Sequence, residues 1–136
     1  EVSISVTPAA TLKTAKANGK LDAFRASWVA DYPDAESYMS LFLSSNFAPR
    51  GPNYTHFNSK QFDSWYHESQ RTNDLEARTI LYQKMDSIVM DAAPVIPLFY
   101  DEVVRFIHSD VQGLGMNPTN LLDLRTVKKI KMKSEN

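Results

Sequence analysis

The sequence predicts an α/β domain in which a layered, mixed β-sheet is flanked by helices. Apolar and polar residues alternate over residues 2–7, a helical pattern follows, and residues 22–28 form a second strand-like run. Strand, helix and strand in that order indicate a βαβ unit with parallel neighbouring strands. The 136 residues are enough for one hydrophobic core, so residues 1–136 are predicted to form a single domain.

The first helix is predicted to begin at Thr7-Pro8, because a hydroxyl N-cap followed by proline is a common helix start. Gly19 supplies its C-terminal stop. The chain opens directly in the strand-like run without an initiator methionine, and we expect it to be a fragment of a longer protein.

The middle of the chain predicts three further helices separated by a loop. Asp34 is a candidate N-cap for the first of them, and residues 46–58 hold two prolines and a glycine typical of a loop. Asn58 and Asn73 each open a sequence that resembles a capping box. The last helix, residues 74–92, ends at Ala93-Pro94 and carries a broad apolar stripe: Ala77, Ile80, Leu81, Met85, Ile88, Val89 and Ala92.

The C-terminal third is rich in β-forming residues. Residues 95–100 and 103–108 are predicted to be strands, and turns are predicted at Gly113–Gly115 and at Asn117-Pro118. A final strand is predicted over residues 126–132, where alternating lysines indicate one solvated face.

Composition excludes several classes of function. A net charge of −1 gives no electrostatic basis for binding nucleic acid, and the absence of cysteine excludes disulfides and thiolate metal sites. No apolar run has the roughly 18 residues of a membrane span. The three histidines lack metal-ligand spacing, and no phosphate-binding or nucleophile motif is present, so neither a cofactor nor an enzyme is predicted. An acid–base pair of Asp31 and Asp34 is the weak enzymatic alternative.

A recognition surface is predicted at residues 28–34, where the chain leaves a strand-like run, turns at a proline and enters a helix. In α/β proteins, ligands bind at the carboxyl ends of strands. Trp28 and Tyr32 flank this turn and can stack on a ligand, while Asp31 can hold a cation. Tyr54 is a further aromatic near the same predicted cleft. Ordinary packing is the alternative reading for each aromatic.

Five blocks of sequence together resemble the extracytoplasmic solute-binding proteins of the dipeptide/oligopeptide ABC-transporter class (family 5). The resemblance covers essentially the whole chain and points to the C-terminal part of one lobe. In order, the blocks are Trp28-Val-Ala-Asp-Tyr-Pro-Asp34, a loop with Asn53, Phe57-Asn-Ser-Lys-Gln-Phe-Asp63, Asp74-Leu-Glu-Ala-Arg-Thr-Ile-Leu-Tyr82 and Asp91-Ala-Ala-Pro-Val-Ile-Pro-Leu-Phe-Tyr100.

The resemblance implies a type II periplasmic-binding-protein clamshell that closes on its ligand and delivers it to a membrane permease. It further implies that Asp31 takes the α-ammonium group of a peptide and that Trp28 lines the pocket. We predict Tyr32, Asn53 and Tyr54 as further ligand-binding residues. The expected location is periplasmic or extracytoplasmic, with any membrane association through an N-terminal lipid anchor. Relatives that bind nickel, sugars or opines share the fold, so a non-peptide ligand stays open, as does a sensor or scaffold module that binds a protein partner.

Overall fold

Helices form most of the regular structure in the computed structural model, which describes residues 3–117 and 121–130. Two antiparallel strand pieces lie near the C-terminus. The elements are α1 (Ala9–Ala17), α2 (Glu36–Met39), two 3₁₀ turns (Ser40–Phe42 and Ser44–Asn46), α3 (Lys60–Ser69), α4 (Leu75–Ala92), β1 (Val111–Gln112) and β2 (Lys128–Lys129).

The hydrophobic core lies between α3, α4 and the short helical turns that precede them. Phe62 of α3 and Met85 of α4 are completely buried, and Val89 is nearly so. The apolar stripe predicted for α4 is therefore confirmed at its centre, whereas Ile80 at its margin is 46% exposed. The remaining members of the core are Leu43 and Tyr66, with Met39, Phe42, Phe57, Trp65, Tyr82 and Val95 packed against them.

The helices begin where local capping predicts, shifted by one residue. Ser59 accepts a hydrogen bond from the Phe62 amide at 3.3 Å, and Asp74 accepts one from the Ala77 amide at 2.7 Å. The caps are thus Ser59 and Asp74, and the capping boxes predicted to open at Asn58 and Asn73 are wrong by one position. The first amides of a helix have no acceptor within the helix. The short side chains of Ser59 and Asp74 each supply an acceptor to the amide three residues later.

Helix α1 is confirmed, although no side chain caps it and Pro8 rather than Thr7 precedes its first residue. Its C-terminal stop is confirmed, because Gly19 adopts a left-handed conformation with φ of +61°. Helix α4 ends at Ala93, as predicted, and Ala93 is also left-handed, with φ of +48°.

Residues 46–58 form the predicted loop, which folds back on itself. The Ala48 amide donates to the Asn53 carbonyl at 3.0 Å, and the Asn53 amide donates to the Asn46 carbonyl at 2.8 Å. Gly51 lies so close to Asn46 that a Cβ atom there would stand 2.4 Å from its carbonyl oxygen. The loop therefore requires glycine at this position.

The predicted strands at 22–28, 95–100 and 103–108 are wrong, because no strand pairing occurs there. Residues 3–7 likewise do not pair, and Val2 lies outside the described residues. Ile4 and Phe106 are 89% and 98% exposed. A strand needs a neighbour to bond its amides and carbonyls, and within the described residues none is present.

The described residues pair as strands only near the C-terminus. Val111 lies opposite Lys129 and Gln112 opposite Lys128, in antiparallel register. This confirms part of the predicted last strand and its exposed lysines, while residues 131–132 lie outside the described residues. Gly113 is left-handed, with φ of +80°, but the turn itself lies at Ser109–Asp110 and not at the predicted Gly113–Gly115. Pro118, half of the other predicted turn, also lies outside. Among the described residues, the predicted mixed sheet is represented by this two-stranded pair, and the predicted βαβ unit does not form.

Candidate ligand site at the turn before α2

The turn that precedes α2 holds the backbone of Asp31 and leaves its carboxylate exposed. The Asp31 amide donates to the Oγ atom of Ser37 at 3.2 Å, and Ser37 is buried in α2. Among the described residues, no side chain forms an ion pair with the Asp31 carboxylate. Asp31 is therefore fixed at its backbone and available at its side chain.

Asp34, three residues later, has both carboxylate oxygens occupied. Its Oδ2 atom lies 2.5 Å from Nη2 of Arg78, and its Oδ1 atom accepts from the Tyr82 hydroxyl at 2.8 Å. The same Oδ1 atom accepts from the Glu36 amide at 2.9 Å, although Ala35, and not the predicted Asp34, occupies the N-cap position of α2. Because Asp34 is paired with an arginine, the geometry gives no support to an acid–base pair with Asp31.

This network shifts the pKa values of its members. Burial by itself raises the pKa of Asp34, but bonds from the Glu36 amide, Tyr82 and Arg78 outweigh it, and the net pKa is lowered. Hydrogen bonds to Tyr82 and Asp34 raise the pKa of Arg78. Burial is the largest cause that raises the pKa of Tyr82. At neutral pH the pair is thus an aspartate and an arginine, with a neutral tyrosine between them.

A second contact ties the turn to α3. The Tyr66 hydroxyl donates to Oε1 of Glu36. Burial, followed by this bond, raises the pKa of Tyr66 well above its ordinary value. Glu36 and Asp34 thus hold the start of α2 against α3 and α4 respectively.

The two aromatic residues of the turn are accessible. Trp28 is 39% exposed and Tyr32 is 47% exposed. The structure therefore places three of the predicted ligand-binding residues, Trp28, Asp31 and Tyr32, on one exposed segment. An indole and a phenol beside a carboxylate suit a cation that also carries apolar groups.

The structure places Asn53 and Tyr54 in the 46–58 loop, where both also contact neighbouring parts of the chain. Asn53 is completely buried; its Nδ2 atom donates to the carbonyls of Leu43 and Phe57 at 3.1 and 3.0 Å. Tyr54 is half-buried, and Nζ of Lys16 lies 4.7 Å from its ring centre. These bonds stabilise the loop, and none of them reaches the turn at Asp31.

Sequence reasoning missed Ser37, Arg78 and Tyr82 as parts of the site. Arg78 and Tyr82 are four residues apart on α4 and therefore lie on the same face of the helix. That spacing was the only available signal, because nothing local links Arg78 to an aspartate 44 residues earlier.

Another surface feature lies along α4, away from the residues of the turn. It is a shallow depression of about 670 Å³ lined by Asp74, Leu75, Glu76, Thr79, Ile80 and Gln83. All six come from α4 and its N-cap, and so no second element encloses a ligand there.

Neither a metal site nor a membrane span is found in the part of the chain that the structure describes. Its histidines, aspartates and glutamates form no group of three or more that could hold a metal ion. None of its helices is both long and apolar enough to cross a membrane.

Comparison with curated proteins finds relatives among periplasmic binding proteins of bacteria, whereas no protein-family model matches the chain. The probable deoxycholate-binding periplasmic protein YgiS of Escherichia coli K12 is 29% identical over 79% of this chain. The periplasmic murein peptide-binding protein MppA and the periplasmic oligopeptide-binding protein OppA of the same organism are 28% and 31% identical over 80% and 74% of it. The chain spans about a fifth of the length of these relatives.

A solved structure supports the same relationship at the level of the fold. The unliganded, open form of the MppA murein tripeptide-binding protein matches 90% of this chain with a TM-score of 0.71 and 27% sequence identity. The match covers 23% of that protein, a type II periplasmic binding protein. Solute-binding proteins bind and release their ligands without chemistry, so this chain is related to binding proteins and not to enzymes. Sequence and fold together place this chain with the extracytoplasmic solute-binding proteins of the dipeptide/oligopeptide class, family 5.

Proposed function

We propose that this chain is the C-terminal lobe portion of the substrate-binding component of an ABC importer, and that it captures peptides by their α-ammonium group at Asp31. The observation that carries this proposal is the contrast between two aspartates of one turn. Asp34 is neutralised by Arg78, whereas the Asp31 carboxylate is exposed on a fixed backbone and has no ion-pair partner among the described residues.

The chemistry at Asp31 suits a primary ammonium group. A carboxylate that accepts from an ammonium forms a charge-assisted hydrogen bond, which is shorter and stronger than a neutral one. Trp28 and Tyr32 add ring faces that attract a cation and cover apolar parts of a ligand. In this proposal Tyr54 offers a further ring, and the buried Asn53 acts by holding its loop in place.

The printed names of the relatives support a peptide ligand. MppA is named for murein peptides, OppA for oligopeptides, and GsiB of Salmonella typhi, 30% identical over 70% of this chain, for glutathione. By analogy we place the chain in the periplasm, where a ligand that bridges two lobes favours the closed form and is passed to a permease. Anchoring through an N-terminal lipid belongs to the same proposal.

The first alternative ligand is a bile acid, because YgiS is named for deoxycholate. Exposed aromatic rings at Trp28 and Tyr32 would suit such an apolar ligand. Deoxycholate carries a carboxylate and no ammonium, so the exposed Asp31 would repel it. The charge on Asp31 therefore discriminates between the two ligand classes.

Calorimetric titration of the full-length gene product tests the proposal. The ligands are a mixed pool of di- to pentapeptides, the same pool N-acetylated, and deoxycholate. The variant is Asp31→Asn, and the matched control is Asp91→Asn, which changes an exposed aspartate on α4.

The unmodified protein is expected to prefer free peptides to acetylated ones. Asp31→Asn is expected to lose roughly 2 kcal/mol of binding energy, about 30-fold in Kd, as when a charged ligand group loses its partner. Asp91→Asn should bind normally. Equal binding of free and acetylated peptides, or tight binding of deoxycholate alone, would refute the ammonium proposal. A protein that binds none of the ligands would favour a sensor or scaffold module.

A further inference from the structure

Two sequence blocks that lie far apart in the chain meet at Asp34. We propose that Arg78 and Tyr82 are positioning residues for ligand binding, which act through Asp34 to set the place of Asp31. This role rests on the proposed function at Asp31. It explains why the block at residues 28–34 and the block at residues 74–82 occur together in one chain.

The side chains of Asp34, Arg78 and Tyr82 are each hydrogen-bonded to the other two. Arg78 donates to Oδ2 of Asp34, Tyr82 donates to Oδ1, and Nη2 of Arg78 also donates to the Tyr82 hydroxyl at 2.7 Å. A carboxylate that is bonded at both oxygens to two side chains of one helix loses its rotational freedom. These bonds therefore fix the position of the turn relative to α4.

A short chain of hydrogen bonds leads from Asp34 to Asp31. The Ser37 amide donates to the Asp34 carbonyl at 3.2 Å, and the Ser37 hydroxyl accepts from the Asp31 amide at 3.2 Å. Ser37 is buried, with 3% of its surface exposed, so it has little room to move. A shift of Asp34 is therefore transmitted through Ser37 to the backbone that carries the ligand carboxylate.

The arrangement is poorly suited to a purely stabilising role. The side chains of Arg78 and Asp34 remain about a quarter exposed (25% and 27%), and the buried Nε atom of Arg78 has no acceptor among the described residues. Ion pairs of this kind contribute little more to stability than apolar residues of the same size. Their better-attested use is to select one arrangement of the chain.

The test measures how strongly the full-length gene product prefers a free peptide to its N-acetylated form. The variants are Arg78→Met, Arg78→Lys and Tyr82→Phe, and each is also examined by thermal unfolding. Arg125→Met is the matched control, because it removes another Arg–Asp pair, to Asp123, whose arginine is 88% exposed. A purely structural role would change the unfolding temperature and leave the preference intact.

We expect Arg78→Met to reduce the preference about tenfold or more, since a displaced Asp31 weakens its hydrogen bond to the charged ammonium group. Tyr82→Phe should reduce it less, Arg78→Lys should restore part of it, and Arg125→Met should not change it. If Arg78→Met does not fold, Tyr82→Phe, which removes a single hydroxyl group, carries the test.

The possible failures are distinguishable. An unmodified protein without any preference for free peptides overturns the proposed function and this role with it. A normal preference that survives in Tyr82→Phe, and in Arg78→Met if that variant folds, overturns only the positioning role. Loss of the preference in Arg125→Met would also overturn the positioning role, because removal of an unrelated Arg–Asp pair would then have the same effect.

Discussion

Asp31 and Asp34 have the same side chain and lie in one turn, yet their carboxylates have different contacts. Asp34 is held by Arg78 and Tyr82, whereas Asp31 contacts the protein through its backbone. The difference comes from α4, which supplies a cation to one carboxylate and leaves the other exposed. Long-range packing therefore decides which carboxylate is available to a ligand.

The lowered pKa of Asp34 predicts a dependence of stability on pH. A carboxyl group whose pKa is lower in the folded state contributes stability above its ordinary pKa of 3.8, which is lost as pH falls through the lowered value. Asp34→Asn should therefore unfold more easily at neutral pH, and its difference from the unmodified protein should shrink in acid. Urea unfolding between neutral pH and pH 2.5 measures this difference, with Asp91→Asn as control. A difference that is independent of pH would contradict the prediction.

The residues of the proposed ligand site were more predictable than the residues that support them. Trp28, Asp31 and Tyr32 stand out because unusual side chains flank a proline turn. Arg78 instead sits in an ordinary helical stripe, where arginine is common. Its partner could not be identified without knowing how α4 lies against the turn.

The helices could be predicted because their signals are local. Helix α4 and its central stripe follow from apolar spacing and a capping residue, and both were found. Strand signals are incomplete by comparison, because an alternating run such as residues 3–7 specifies a face but not a neighbour. Without pairing partners among the described residues, these runs stay extended and exposed.

The position of the helix α4 cap gives a test of a single residue. Asp74→Ala should cost about 1 kcal/mol of unfolding free energy, because the Ala77 amide loses its acceptor. Asn73→Ala, one residue earlier, should change stability by less than about 0.5 kcal/mol, as surface substitutions do. Thermal or urea unfolding of the two variants side by side decides between them. A larger loss of unfolding free energy for Asn73→Ala than for Asp74→Ala would contradict this prediction and identify Asn73 as the cap.

Taken as a whole, the described chain exposes more large apolar side chains than its core contains. Tyr100 is 99% exposed, and the exposed apolar residues of the extended segment 95–108 are Ile96, Leu98, Phe99, Tyr100, Val103, Val104, Phe106 and Ile107. Patches of this size on a soluble surface mark interfaces or cause association.

The 136-residue chain by itself is therefore expected to self-associate. Sedimentation velocity should show dimers or larger species at micromolar concentration, and the double variant Phe99→Lys/Phe106→Lys should shift the distribution toward monomer. Leu75→Lys is the matched control, because Leu75 is 74% exposed on α4, outside the segment. A monomeric, unmodified chain would contradict the prediction.

The core has a further consequence for the order in which this polypeptide folds. All of its members lie between Met39 and Val95, and its contacts between α3 and α4 close only the short loop of residues 70–74. Short loops cost little entropy to close, and structures rich in local contacts form quickly. The α3–α4 unit can thus form before the segments on either side of it become ordered. It would then offer those segments a preformed surface on which to pack.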